Sequence, residues 1–248
     1  MDLQNFFAEN PRVALAFSGG VDSSFLLWAA VRQAERLKAY YVRSAFQPQF
    51  ELDDALRLAH SLGVEPEILD VGILDDGTVV SNPPDRCYYC KRRIFSTILA
   101  AARRDGLDTV LDGTNASDDA SDRPGMRALR ELGVRSPLRE CGLTKPEIRR
   151  LSEEAGLFTF DKPAYACLAT RIPAGERITA EKLRRTEAAE RYLFSLGLRD
   201  FRVRSMGDIA KLQVPADGLA TVLAHREEIL IRLKHDYSGV LLDLEVRK

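Results

Sequence analysis

The stretch Val13-Ala14-Leu15-Ala16-Phe17-Ser18-Gly19-Gly20-Val21-Asp22-Ser23-Ser24 decides the fold of this chain. Its five leading apolar residues are typical of a buried β-strand, and the two glycines that follow allow the backbone to turn sharply. The pattern beyond Ser23 predicts a helix. A strand, a glycine-rich turn and a helix N-terminus together predict a cradle for phosphate groups, because free backbone N–H groups point at a ligand there.

The side chains of this turn suit an anion together with a metal ion. Ser18 and Ser23 can donate hydrogen bonds to phosphate oxygens, while Gly19 and Gly20 let the backbone approach them closely. Asp22 is a carboxylate among phosphate donors, which predicts a Mg²⁺ ion between it and the phosphates. The Walker A pattern G-x-x-x-x-G-K-[ST] is absent. An ordinary Gly-Gly turn capped by Asp or Ser is the alternative interpretation.

Strands and helices alternate from residue 13 to residue 112. The pattern predicts strands at 13–17, 38–42, 67–71 and 108–112, with helices at 23–37, 52–62 and 91–104. This order favours an α/β fold with a doubly wound parallel sheet and helices on both faces. Ligands bind such sheets at the carboxyl ends of the strands, where the turns at Ser18 and Gly113 both lie.

A second, smaller α+β unit is predicted to begin near Pro173-Ala174-Gly175. Its pattern predicts helices at 179–196 and 216–234 and strands at 200–204, 209–214 and 239–246. The expected domains are therefore residues 1–172 and 173–248.

Composition and charge exclude several classes of protein. The chain has 248 residues, of which 45% are hydrophobic and 29% are charged. This length and composition are typical of a soluble globular protein that can bury a large core. The net charge of −1 gives no overall field that attracts nucleic acid. No apolar run reaches the ~18 residues of a membrane span, and the N-terminus lacks the pattern of a signal peptide. We therefore expect a cytoplasmic protein.

The stretch 123–150 is locally basic, with eight Lys or Arg against three Glu. It suits phosphate or carboxylate ligands, and a solvated arginine-rich face is equally compatible with it. Within this stretch, Thr144 and Glu147 have the spacing of a capping box, which predicts a helix start.

The four cysteines are not expected to form structural disulfides in the cytoplasm. Cys87 and Cys90 form a C-x-x-C pair at the start of a predicted helix, which is compatible with a redox pair, half of a zinc site or part of an iron–sulfur site. None of the three histidines is an obvious partner, which disfavours zinc. Cys167 lies in the sparsely charged segment 162–173, and Cys141 has no motif around it and is interpreted as a bystander.

Five motifs, in this order, resemble the LarE family of ATP-dependent sulfur transferases, which are N-type ATP pyrophosphatases. They are SGGVDSS at 18–24, PDRCYYCK at 84–91, DGTN at 112–115, CLATRIP at 167–173 and VR at 203–204. The resemblance runs over nearly the whole chain and implies an ATP pyrophosphatase domain of the adenine nucleotide alpha hydrolase type. It also implies a mononucleotide substrate, pyridinium-3,5-biscarboxylic acid mononucleotide, whose carboxylates become thiocarboxylates in nickel-pincer cofactor synthesis.

The resemblance implies roles for individual residues. Those expected to hold ATP and Mg²⁺ are Ser18, Gly19, Gly20, Asp22 and Ser23, with Ser44 and Gly113 near the adenine. One branch of the family has a single cysteine, at the position of Cys167, that gives up its own sulfur. Another branch has three cysteines that hold a [4Fe-4S] cluster carrying an extra sulfide. Cys87, Cys90 and Cys167 match the second pattern, so the expected catalytic residues are these three and Asp22.

The second unit carries candidate ligands for the phosphate of the substrate. Arg202 and Arg204 alternate along a predicted strand, so both side chains point the same way and suit a phosphate. In the family this stretch helps to bind the substrate at a subunit interface, and a solvent-facing strand edge is the alternative. Glu190 lies on the apolar face of a helix, where a carboxylate needs a partner, so pairing with Arg202 or Arg204 is expected. Lys211-Leu212-Gln213 stands where the family usually reads Arg-Ile-Glu, which puts a role there in doubt.

Other functions compete with this interpretation. A tRNA sulfur transferase shares the SGGxDS loop and sometimes three cysteines, but it needs an RNA-binding surface, and no zinc ribbon or other RNA module is evident here. An ammonia-using synthetase or a non-enzymatic nucleotide-binding module leaves the cysteines without a role. The implied partners are the small-molecule substrate, sulfide or a sulfur donor, and further copies of the chain, since the family forms hexamers.

Overall fold

The computed structural model describes residues 2–118 and 123–247. The helices are α1 (Leu3–Glu9), α2 (Val21–Gln33), α3 (Gln49–Ser61), α4 (Gly77–Val80), α5 (Arg86–Arg104), α6 (Pro124–Glu131), α7 (Pro137–Glu140), α8 (Lys145–Glu154), α9 (Ala180–Ser195), α10 (Gly218–Ala224) and α11 (Arg226–Leu233). The strands are β1 (Arg12–Ala16), β2 (Arg36–Arg43), β3 (Glu67–Asp70), β4 (Thr109–Leu111), β5 (Arg202–Met206), β6 (Ile209–Gln213) and β7 (Gly239–Leu242). In these described ranges, no helix combines the length and the apolar character needed to cross a bilayer.

The chain divides into two compact units. The first comprises Met1–Ile73 and Asp85–Lys162, and the second comprises Leu74–Pro84 and Pro163–Lys248. Residues 74–84 belong to the second unit because its hydrogen bonds hold them: Asn82 Nδ2 donates to the Pro173 carbonyl at 2.7 Å. This division by packing falls after residue 162, whereas the domain boundary expected after residue 172 stays a prediction.

The first unit is built on a four-stranded parallel sheet of order β3-β2-β1-β4. The central strand β1 pairs with two neighbours, so that Val13 lies opposite both Leu37 and Thr109. A central strand with parallel partners on both sides requires helical crossovers. The α/β class with a parallel sheet is confirmed.

Helices cover both faces of this sheet, because successive strand residues point to opposite sides. Val13 and Leu15 of β1 belong to one core, which also holds apolar residues of α1, α2, α3 and α8. Ala14 of β1 and Tyr40 of β2 belong to another core, which holds apolar residues of α5 and α6. Burial on both faces is the reason why β1 is apolar throughout its centre.

The observed helix α2 is shorter than predicted, and α1 was not predicted. The prediction extended the first helix to Leu37, but α2 ends at Gln33. The N–H groups of Glu35 and Arg36 both donate to the Pro11 carbonyl, which turns the chain into β2 beside β1. Helix α1 is capped by Asp2, whose side chain accepts from the Asn5 N–H at 2.8 Å.

The second unit contains a three-stranded sheet of order β5-β6-β7. Strands β5 and β6 are antiparallel, and β6 and β7 are parallel. Its separate core includes Leu193 of α9, Val203 of β5 and Leu212 of β6. The prediction of one continuous helix over residues 216–234 is wrong, because two helices, α10 and α11, form there and His225 separates them.

Candidate functional site

The loop between β1 and α2 requires glycine at position 19 for two independent reasons. Gly19 has φ +73°, which is the left-handed region that residues with a Cβ rarely adopt. A Cβ at this position would lie 2.6 Å from the Cβ of Ala55 on α3. The loop therefore packs directly against α3, at the carboxyl edge of the parallel sheet.

Hydroxyl groups converge inside this loop. The Oγ atoms of Ser18 and Ser23 are 3.0 Å apart, and Ser23 Oγ also donates to the Gly20 carbonyl at 3.2 Å. Gly20 is the N-cap of α2 and offers no side chain to the free N–H groups of the first turn. Those N–H groups are available to a phosphate, and the two hydroxyls lie beside them in the loop.

Asp22 has one engaged and one unengaged carboxylate oxygen. Its Oδ2 lies 2.6 Å from Nζ of Lys145, at the start of α8. Its Oδ1 is buried and has no hydrogen-bond partner among the described residues. A buried carboxylate oxygen without a donor fits a hard cation such as Mg²⁺, which prefers oxygen ligands and bridges carboxylates to phosphates.

The turn after β4 packs against the same loop. A Cβ on Gly113 would lie 3.0 Å from the backbone N of Ser23, so this position also requires close approach. Ser44 directly follows β2, and its Oγ donates to Gln47 Oε1 at 2.6 Å. Both residues lie at the carboxyl edge of the sheet, and their contact with adenine stays a prediction.

Cys87 and Cys90 lie on one face of α5. The helix begins at Arg86, five residues before the predicted start, so both thiols belong to its first two turns. Residues three apart in a helix are neighbours on its surface. Cys87 is exposed and Cys90 is partly exposed. This spacing allows both thiols to bind one ligand group.

Cys167 belongs to the second unit, where it caps the short 3₁₀ turn Leu168–Arg171. Arg171 holds this segment by donating to the Ala166 carbonyl at 2.7 Å and to Thr170 Oγ1 at 2.9 Å. Across residues 2–118 and 123–247, no group of three or more His, Cys, Asp or Glu is arranged to hold a metal ion. Burial raises the pKa of the Cys141 thiol, which agrees with its interpretation as a bystander.

Glu190 pairs with Arg171 and not with Arg202 or Arg204, so that expectation is wrong. The Nε and Nη2 atoms of Arg171 lie 2.9 and 3.0 Å from the two carboxylate oxygens of Glu190. Arg171 is fully buried and Glu190 is 1% exposed. The planar guanidinium of Arg171 matches the carboxylate with two parallel hydrogen bonds, whereas Arg202 and Arg204 donate to the Ala164 and Thr170 carbonyls.

Further hydrogen bonds complete the environment of Glu190. Its oxygens also accept from the Val203 N–H, at 2.9 Å, and from the Tyr165 hydroxyl. The Tyr165 ring lies beneath two guanidinium groups, with the Cζ atoms of Arg171 and Arg202 at 4.5 and 5.3 Å from its centroid. The buried carboxylate therefore organises the segment that carries Cys167.

Arg202 and Arg204 both reach backbone carbonyls of residues 164–170. Arg202 donates to the Ala164 carbonyl at 2.6 Å, and Arg204 donates to the Thr170 carbonyl. Burial lowers the pKa of Arg202 to about 10, and the nearby charges of Arg171 and Arg247 act in the same direction. Arg202 is 5% exposed, which excludes the alternative of a solvent-facing strand edge for this residue.

Gln213 connects Arg204 to an acidic residue. Its Oε1 accepts from Arg204 Nε at 2.8 Å, and its Nε2 donates to Asp243 Oδ2 at 2.8 Å. Lys211 Nζ lies 2.7 Å from the same carboxylate oxygen. Because Gln213 carries a neutral amide, the side chain at this position gives Arg204 a hydrogen-bond acceptor but no negative charge.

Sequence reasoning missed two residues that the structure brings to these sites. Lys145 was part of the basic stretch 123–150 but was not singled out, and it contacts Asp22. Arg171 lies inside the quoted CLATRIP motif but was not assigned a role, and it holds Glu190. A signal was present in both cases, since Lys145 directly follows Thr144 inside the capping box and Arg171 follows Cys167 by four positions.

Comparisons with known proteins agree with the chemistry that the geometry of the site allows. No protein-family model matches the chain. The pyridinium-3,5-bisthiocarboxylic acid mononucleotide synthase of Lactiplantibacillus plantarum is 34% identical over 94% of this chain and 86% of its own length. An uncharacterized protein of Synechocystis sp. is 38% identical over 87% of this chain and 81% of its own length.

More distant matches include tRNA-specific 2-thiouridylases. The MnmA enzyme of Thermotoga petrophila is 26% identical over 61% of this chain, which spans 54% of that enzyme. The similarity to the synthase over 94% of the chain and the glycine-rich loop at residues 18–24 agree with each other. The chain belongs to the LarE family of ATP-dependent sulfur transferases.

Proposed function

We propose that this protein uses ATP to replace an oxygen of pyridinium-3,5-biscarboxylic acid mononucleotide by sulfur. The observation that carries the proposal is the loop at residues 18–24, where a buried, unpartnered oxygen of Asp22 lies beside hydroxyls and free N–H groups. The similarity to the synthase of L. plantarum over 94% of the chain supports the choice of substrate.

The loop supports adenylation of a substrate carboxylate. A carboxylate oxygen attacks the α-phosphorus of ATP, and the bond from that phosphorus to the bridging oxygen breaks. The electron pair leaves with pyrophosphate, and an acyl-adenylate remains. Ser18, Ser23 and the N–H groups of α2 bind the phosphates, and preorganised donors of this kind stabilise the charge on the leaving group. Asp22 would hold Mg²⁺, which supplies further neutralisation when bound.

The three cysteines support the delivery of sulfur. A sulfur nucleophile attacks the acyl carbon, AMP leaves, and a thiocarboxylate forms. Cys87, Cys90 and Cys167 are the proposed ligands of a [4Fe-4S] cluster, since thiolates are the usual ligands of such clusters and the first two share one helix face. When bound, the cluster would supply an exchangeable sulfide. In the alternative, Cys167 gives up its own sulfur.

The second unit is proposed to bind the phosphate of the substrate through Arg202 and Arg204. These residues are two apart on β5, so their side chains extend from the same face of the strand. Both keep their positive charge near neutral pH, although burial lowers the pKa of each. Glu190 is proposed to act through Arg171 on the position of the Cys167 segment.

Single substitutions of the cysteines test the sulfur source. After anaerobic reconstitution we expect about four irons per chain, as a [4Fe-4S] cluster requires. The replacements Cys87→Ala, Cys90→Ala and Cys167→Ala should each remove iron and thiocarboxylate formation, measured by iron assay and mass spectrometry. Cys141→Ala is the matched control and should keep both.

Other outcomes of this experiment point to other functions. An iron-free protein whose Cys167 loses the mass of H₂S after incubation with ATP and substrate would mean a sacrificial cysteine. Formation of 2-thiouridine in tRNA, without turnover of the pyridinium nucleotide, would contradict the substrate and favour the function of the MnmA enzymes.

A homo-oligomer, and by resemblance a hexamer, is also proposed. Exposed large apolar side chains on the second unit support it, among them Leu223, Ile231 and Leu244.

Light scattering should give about six times the chain mass of 27.7 kDa. The double replacement Ile231→Asp and Leu244→Asp should lower that mass, whereas Arg226→Ser on the same helix as Ile231 should not. A monomeric wild-type protein would contradict the proposal.

A further inference from the structure

One side-chain amide binds three carbonyl groups of the segment that follows Cys167. Nδ2 of Asn82 donates to the Pro173 carbonyl at 2.7 Å, to the Glu176 carbonyl at 3.2 Å and to the Ile172 carbonyl at 3.3 Å. Asn82 is 1% exposed, so its amide makes these bonds away from competing solvent. All of these residues belong to the second unit.

The backbone conformation of Asn82 shows that the side chain has a purpose besides the turn. Asn82 has φ +57°, and in the part of the chain that the structure describes Asp200 is the one other residue with a Cβ that has a positive φ. Asn82 follows Ser81, the C-cap of α4, at a place where glycine is the usual residue. A glycine would make this turn as well, so the turn does not account for the buried amide. The contacts with residues 172–176 do.

Backbone hydrogen bonds join the same two segments. The Gly175 N–H donates to the Asn82 carbonyl at 2.8 Å, and the Ile178 N–H donates to the Val80 carbonyl at 2.8 Å. Residues 172–178 are therefore fastened to the end of α4 by main chain and side chain together, and Asn82 is the residue that contributes both.

The start of the Cys167 segment is held by charged side chains instead. Arg202 donates to the Ala164 carbonyl at 2.6 Å, and Arg171 donates to the Ala166 carbonyl at 2.7 Å. Replacing either arginine changes the charge of the second unit as well as the position of the segment. Asn82 is uncharged, so its replacement by another neutral residue changes the position alone.

We propose that Asn82 is a positioning residue for sulfur delivery, which fixes Cys167 by holding the carbonyl groups of residues 172–176. The inference rests on the proposed function for the role of Cys167, and it holds for a cluster ligand and for a sacrificial cysteine alike. Asn82 itself touches no reacting atom. Its contribution is geometric, because attack on an acyl carbon requires the reacting atoms to be held in line and close together.

Asn82→Gly tests the inference, because glycine keeps the left-handed conformation and removes the three side-chain bonds. Deuterium exchange at the backbone amides of residues 168–178 should become about tenfold faster, as the loss of one or two buried hydrogen bonds implies. Thiocarboxylate formation in a single turnover should slow by about ten- to hundredfold, since a misplacement of about 1 Å has an effect of this size. Exchange of pyrophosphate into ATP at saturating substrate, which reports adenylation, should stay as in the wild type.

Asn10→Gly is the matched control. Nδ2 of Asn10 also donates to a backbone carbonyl at the end of a helix, that of Phe6 at 2.9 Å, but in the first unit. This variant should leave the deuterium exchange of residues 168–178 and both reaction rates unchanged.

Each contrary result has a distinct meaning. Unchanged deuterium exchange in Asn82→Gly would overturn the inference, because Asn82 would then not hold the segment. Faster deuterium exchange with a wild-type rate of thiocarboxylate formation would also overturn it, since the role would be structural only. So would equal losses of pyrophosphate exchange and thiocarboxylate formation, which indicate general damage to the fold. If thermal melting shows that Asn82→Gly is unfolded, Asn82→Ser, which keeps one donor, replaces it. A wild-type protein without pyrophosphate exchange would contradict the proposed function, whereas deuterium exchange decides by itself whether Asn82 holds the segment.

Discussion

Replacement of Arg171 by Met is expected to lower the free energy of unfolding by about 3–5 kcal/mol, because it leaves a buried carboxylate without its cation. Arg171 is fully buried, and Glu190 is 1% exposed. The variant keeps the hydrogen bonds that Glu190 accepts from Val203 and Tyr165, but it loses both bonds from the guanidinium. Urea denaturation followed by circular dichroism measures the change.

An exposed ion pair in the same unit provides the control. Arg226 lies 3.4 Å from Glu227, and their side chains are 63% and 82% exposed. Pairs of this kind contribute about 0–1 kcal/mol, so Arg226→Met should change stability little. Adding Glu190→Gln to Arg171→Met should recover part of the loss, because the amide removes the buried charge and keeps an acceptor for the Val203 N–H. A loss in Arg171→Met as small as in the control would contradict the assignment of this pair.

The parallel sheet and its carboxyl edge could be predicted from the sequence because both follow from local patterns of apolar, glycine and capping residues. Val13, Ala14 and Leu15 of the apolar run are buried on both faces of the sheet as the centre of β1, and the glycines after the run allow the turn. The capping box at Thr144 and Glu147 formed as its spacing predicts. These features depend on residues that are near one another in the chain, so that periodicity and turn chemistry are sufficient to identify them.

Partners distant in the chain could not be predicted in the same way. Lys145 and Asp22 are 123 positions apart, and Arg171 and Glu190 are 19 apart. The choice of Arg171 over Arg202 and Arg204 depends on which guanidinium the packing places in plane with the carboxylate. Spacing along the chain contains no information about that geometry. The sequence suggested Arg202 and Arg204, but Arg171 equally satisfies the requirement that a buried carboxylate be paired.

The two units contain complementary chemistry. The loop of the first unit has donors and a carboxylate but no cation of its own, which suits a phosphate chain that arrives with a metal ion. The second unit instead has Arg202 and Arg204 two apart on β5, beside the ion pair of Arg171 and Glu190, which suits a ligand that carries a negative charge without a metal ion. This difference supports ATP on the first unit and the phosphate of the substrate on the second, as proposed.

Gly19→Ala is expected to destabilise the protein and to weaken ATP binding, because it combines backbone strain with a steric clash. A left-handed conformation costs a residue with a Cβ about 1–2 kcal/mol. The new Cβ would also lie 2.6 Å from the Cβ and 2.9 Å from the Cα of Ala55, so the loop or α3 must shift. Overpacking of this kind costs about 1–3 kcal/mol in addition.

Gly63→Ala separates the two effects. Gly63 has φ +71°, but a Cβ there meets no atom within 4 Å, so this variant carries the backbone strain alone. Urea denaturation should therefore show a larger loss for Gly19→Ala than for Gly63→Ala, and titration with Mg²⁺–ATP should show weaker binding only for Gly19→Ala. Equal losses in stability would mean that α3 shifts to accommodate the new Cβ at no cost in free energy. Unchanged ATP binding in a folded Gly19→Ala variant would contradict the position of the phosphates on this loop, because a displaced Gly19 moves the hydroxyl of Ser18 and the N-terminus of α2.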